Sequence, residues 1–135
     1  AIVQYMADQA PDKHLAPANG TLARYQLQAW LTFVSTELHK NFSPLFNPAT
    51  PDVYKDTIKE RLNGRLAWVD SQLAGKDFLM GAQFSVADGY LFTVTNWAPR
   101  VGVDITGFAH IVAFRARVSA RPGVQAALRA EGLLA

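Results

Sequence analysis

The segment from Val86 to Ala98, VADGYLFTVTNWA, carries a single charge, at Asp88, and presents apolar side chains around its whole circumference. A helix with no polar face belongs at the centre of a domain, so the rest of the chain must wrap around this segment. Its start is marked as clearly. Ser85 and Asp88 have the spacing of a capping box, in which the serine accepts from the amide of Asp88 and the carboxylate reaches back to the amide of Ser85. The structural reading of Asp88 outweighs one as a catalytic acid, because an unpaired carboxylate in a core is expensive.

The wrapping segments also read as helices. Leu27, Leu31, Val34, Leu38 and Phe42 form one apolar stripe and predict a helix from Thr21 to about Phe42, ended or bent at Pro44. Thr50 as cap and Pro51 at the first helical position open another, with Tyr54, Ile58, Leu62, Leu66, Val69 and Leu73 inward and a stop near Gly75. A fourth is expected from Ile105 or Gly107 to about Ala120, and a fifth from Pro122 to near Gly132. No segment alternates in the manner of a strand. The expected fold is all-α: a bundle of about five helices around a central buried helix.

Composition removes several classes of function. No apolar run approaches the length of a membrane span. Thirteen Lys and Arg stand against eleven Asp and Glu, a net charge of +2 with the cations scattered, which argues against nucleic-acid binding. There is no cysteine, so disulfides, thiolate metal sites and a cysteine nucleophile within these residues are excluded. His14, His39 and His110 lack ligand spacing, and no metal is expected. Arg115, Arg117 and Arg121 read as a solvated face.

One constellation is candidate chemistry. Thr32, Thr36 and His39 share a helix face at i, i+4 and i+7, flanked by Glu37 and Lys40. Two readings stay open. His39 and Lys40 are cations suited to a last helical turn, with Glu37 and Lys40 pairing on the surface. Alternatively, hydroxyls, imidazole and ammonium together face an anionic, hydrogen-bonding ligand. Phe42, Phe46 and Trp97 are candidates for an apolar pocket beside that face.

Four stretches carry a family resemblance. Trp30 to Lys40, WLTFVSTELHK, resembles the first helix of the C-terminal domain of glutathione transferases, most closely the bacterial beta class. Phe84 to Asp88, FSVAD, resembles the capping box of that superfamily, and Arg121 to Val124, RPGV, the entry to its last helix. Ala1 to Asp8 resembles the end of the last helix of the family's thioredoxin-like domain. The resemblance covers essentially the whole chain. It implies that residues 1–8 finish an absent thioredoxin-like domain, 9–20 form the interdomain linker and 21–135 the helical domain.

The resemblance further implies an enzyme in which the glutathione thiol is conjugated to, or exchanged with, a small electrophile. His39 would be the catalytic residue near the sulfur. Thr32, Thr36, Glu37, Leu38, His39 and Lys40 would contact glutathione as co-substrate, and Phe42 and Trp97 would border the electrophile. Thr32 stands where the class often has asparagine. Phe84 lacks its usual staple partner, since Gly89 occupies that position. A cytoplasmic homodimer engaged in detoxification is implied, with this segment inactive alone. The alternative is a non-catalytic binding or dimerisation module with the same helical fold.

Overall fold

A computed structural model describes residues 1–134. In chain order the helices are α1 (Ile2–Gln9), α2 (Leu22–Phe33), α3 (Lys40–Phe46), α4 (Asp52–Leu73), α5 (Val86–Thr95), α6 (Ala109–Ser119) and α7 (Pro122–Ala130). A π-helical turn, Val34–His39, joins α2 to α3, and short 3-10 turns span Pro11–Lys13 and Ala98–Val101. Helices carry the fold as expected, and among the described residues none is long and apolar enough to cross a membrane.

The all-apolar segment is the centre. Ala87, Asp88, Leu91, Phe92, Val94 and Thr95 of α5 are buried, against Leu27 of α2, Leu62 and Leu66 of α4 and Phe114 of α6 in one continuous core. Burying side chains of this kind contributes roughly 1.5–3 kcal/mol each relative to exposure. The helix ends at Thr95, earlier than the sequence suggests, and Ala98 opens a 3-10 turn closed by Gly102 at φ +70°. That backbone region favours glycine.

The first long stripe contains a feature its spacing does not reveal. Its steps of four, three, four and four suit an ordinary α-helix, with a drift of only about 60° between Leu27 and Phe42. The π turn inserts one residue, with the Lys40 amide bonding back to the Ser35 carbonyl. Leu38 and Phe42 lie in the core with Leu27 and Val34, all without accessible surface. Pro44 does not end the rod. It lies inside α3, which runs on to Phe46.

Two caps differ from expectation. Thr50 does not cap α4: Pro51 is the N-cap, its carbonyl accepting from Tyr54 and Lys55. Tyr54 is half exposed, so the buried stripe begins at Ile58. The start of α6 is capped from another helix, Asp70 of α4 accepting from the Ile111 amide at 2.8 Å and the His110 imidazole at 3.0 Å.

The Ser85–Asp88 box forms in both directions. Asp88 does more than close it. Its carboxylate accepts from the Ser85 amide, the Ser85 hydroxyl and the Leu79 amide, each at 2.8 Å, so the loop before α5 hangs on the same side chain. Burial dominates and raises the Asp88 carboxyl above its ordinary value despite those donors. Phe84 lies over the bare backbone of Gly89, edge-on to Phe78 (centroids 5.6 Å apart), with the Arg121 guanidinium 3.9 Å above its ring.

The three arginines therefore do not form a solvated face. Arg121 covers Phe84, Arg117 pairs with Asp77 at 3.3 Å, and half-buried Arg115 donates to Asn96 at 2.7 Å. At the other end α1 and the following residues are tied to α2. Buried Arg24 pairs with Asp8 and donates to the Pro17 carbonyl, and the Leu15 carbonyl accepts from the first amide of α5.

Candidate functional site

The π turn and the central helix together build the site. Thr36, Glu37, Leu38 and His39 all lie on the π turn, with Thr32 one turn before it and Lys40 directly after. π turns recur at functional sites because the inserted residue re-aims side chains.

The His39 ring is half-buried and held from two sides. Nδ1 lies 2.7 Å from the Tyr90 hydroxyl of α5. The imidazole packs nearly perpendicular to Trp97, with centroids 4.8 Å apart and planes at 78°. Phe46 in turn stands perpendicular to Trp97 at 5.9 Å, forming a partly exposed aromatic shelf.

Thr32, Thr36 and Tyr90 line one open groove of about 710 Å³, whose far wall is Ile2, Val3 and Gln4 of α1. Both threonines are exposed, the Thr36 hydroxyl donating to the Thr32 carbonyl at 3.1 Å. Lys40 is exposed, with no ion pair among the described residues. The arrangement offers an anion a hydrogen-bonding imidazole, a nearby ammonium and a polar wall.

Of the expected site residues Thr32 and Thr36 line this groove and His39, Lys40 and Trp97 do not; Leu38, Phe42 and Glu37 are turned away from it, each for a physical reason. Leu38 and Phe42 have no accessible surface, so neither can contact glutathione or border an electrophile; both are core residues beneath the site. Glu37 does not pair with Lys40. It bonds Arg65 of α4 at 2.8 Å, which turns its carboxylate away from the groove. Tyr90 is a site residue that the sequence does not single out, although a phenol on an otherwise apolar helix requires a hydrogen-bond partner.

Comparison with known proteins settles the family. The model of the glutathione S-transferase C-terminal domain matches residues 33–122. The chain belongs to that family, among its bacterial beta-class members. It is 45% identical to glutathione S-transferase GstA of Escherichia coli O157:H7 over 98% of its own length and 66% of that protein's. It is 55% identical to BphK, a bacterial glutathione transferase solved as a ternary complex, with a TM-score of 0.96 over 98% of this chain and 66% of that one. A sphingomonad glutathione S-transferase complexed with glutathione is 45% identical, with a TM-score of 0.93 and the same coverage. The chain thus spans about two thirds of the length of these relatives. Among the described residues, no three His, Cys, Asp or Glu side chains cluster to hold a metal.

Proposed function

We propose that this chain serves a glutathione transferase, in which the glutathione thiolate attacks a small electrophile. The carrying observation is the His39 ring, fixed by Tyr90 beside a groove walled by Thr32 and Thr36. Its imidazole stabilises the sulfur anion through a hydrogen bond, and Lys40 adds positive potential. Thr32 and Thr36 supply hydroxyls to the peptide part of glutathione. Trp97, joined by Phe46, forms the apolar floor for the electrophile. The 135 residues contain no cysteine, so the reacting sulfur comes from glutathione or from another segment.

The family name and the glutathione complex of a 45% identical relative support this reading. The test is the rate of glutathione transfer to an aryl halide by the protein that carries this chain. His39→Ala should lower kcat/KM roughly tenfold to a hundredfold, the range for loss of one preorganised donor. Its unfolding midpoint should stay close to the parent's, because His39 is outside the core. An unaltered rate rules the role out.

A second reading, a non-catalytic docking module, has its own support. Trp30, Phe33 and Trp68 form an aromatic patch on α2 and α4, with Phe33 and Trp68 centroids 4.6 Å apart and Trp68 44% exposed. Such a patch suits a protein partner, including a second copy of the enzyme. Undiminished self-association in a protein with no measurable glutathione transfer would favour this reading.

A further inference from the structure

We infer that Tyr90 is a positioning residue for His39: its hydroxyl donates to Nδ1 and so fixes the ring hydrogen on Nε2. The inference rests on the sulfur-facing role of His39 proposed above and specifies its chemistry. His39 meets the sulfur as a hydrogen-bond donor, not as the base that removes the thiol proton.

Hydrogen-bond accounting favours one direction. A 2.7 Å contact joins one phenol oxygen to one ring nitrogen, and among the described residues neither group has another side-chain partner. If Nδ1–H donated to the oxygen, the phenol hydrogen and the Nε2 lone pair would both be left to solvent. If the phenol donates to Nδ1, only Nε2–H remains, ready for an incoming acceptor. A phenol is moreover a better donor than acceptor, and an sp2 ring nitrogen accepts well.

The surroundings keep this arrangement in place. Tyr90 sits on the central helix, whose start is pinned by Asp88, so its hydroxyl inherits the rigidity of the core. Trp97 packs nearly perpendicular to the imidazole, ring centroids 4.8 Å apart, and opposes the ring flip that would exchange Nδ1 for a carbon.

The consequence for the reaction is a balanced one. In the neutral ring both nitrogens are committed, Nδ1 as acceptor and Nε2 as N–H. The glutathione S–H bond therefore breaks with its proton passing to water, and the sulfur keeps the electron pair. Nε2–H then donates to that thiolate, which attacks the electrophile. No bond to His39 forms or breaks.

Nitrogen-15 NMR of histidine in the protein that carries this chain reads the tautomer directly, at a pH high enough for neutral rings. Nδ1 should resonate as the unprotonated, accepting nitrogen and Nε2 as N–H. In Tyr90→Phe, which keeps the ring and removes the hydroxyl, the excess of the Nε2–H tautomer should fall roughly tenfold, the change one ordinary hydrogen bond makes. A parent ring protonated on Nδ1 overturns the inference, and so does a Tyr90→Phe spectrum identical to the parent's. The parent measurement stands alone should the variant misfold. Glutathione added to the same sample separates the two readings. Unmoved His39 signals would sink the sulfur-facing role while leaving the Tyr90 bond intact.

Discussion

Asp88 shows how much one side chain can hold. It takes three hydrogen bonds at 2.8 Å, two from backbone amides that have no other route to water. Asp88→Ala would strand those donors in the core, at a cost of about 3 kcal/mol, and should lower the melting midpoint by roughly 10 °C. A melting curve like the parent's would contradict this role. The same residue gives a pH signature. Burial raises its folded-state pKa above the ordinary 3.8, so its contribution is fully present below that value and is lost as pH rises through the folded pKa. Asp70 has the opposite sign. Burial raises it, but the Ile111 amide and His110 together win and lower it, so its contribution is present above 3.8 and lost as pH falls through the folded value. Replacing Asp70 by Asn should therefore flatten the loss of stability on the acid side, and Asp88→Asn should remove a decline on the other; urea midpoints across pH 2–7 would read both.

The elements explain what the sequence could and could not reveal. An apolar circumference and a Ser-x-x-Asp box identify α5 with no knowledge of the partners, because both signals are local. The π turn is not legible in the stripe, because steps of four, three, four and four read as an ordinary α-helix until packing decides. Leu38 and Phe42 belong to the inward stripe in the sequence and are buried as that stripe predicts; the contacts with glutathione and electrophile that the resemblance implies for them do not fit that burial. Deleting the exposed Ser35 should remove the extra residue, restore α geometry and leave Leu38 and Phe42 in the core, so cooperative unfolding should persist. Loss of cooperative unfolding in this variant would contradict the reading of the turn as a one-residue insertion. The entry to α5 offers a milder test. A Cβ at Gly89 would meet only the tip of the Phe84 ring, at an ordinary 3.8 Å. Gly89→Ala should complete the staple and stabilise by about 0.5–1 kcal/mol through helix propensity. Loss of stability there would show that the ring needs the bare backbone.

At the scale of the molecule, long-range pairs are the illegible part. Tyr90 with His39, Asp70 with α6, and Arg24 with Asp8 join residues 16 to 51 positions apart, and no spacing rule connects them. The helical architecture and the Thr32–Lys40 face are legible because amphipathic period and residue chemistry lie within single segments. What the fold adds is a rigid central helix that delivers the Tyr90 phenol, itself lining the groove, to the His39 imidazole. In the proposed function this imidazole, with the neighbouring ammonium, stabilises a sulfur anion. The direct measurement is the ultraviolet titration of the glutathione thiol bound to the protein that carries this chain, in the parent and in His39→Ala. The bound thiol should ionise at a pH about one unit lower in the parent, worth roughly 1.4 kcal/mol. Identical titration curves in the two proteins would contradict that role.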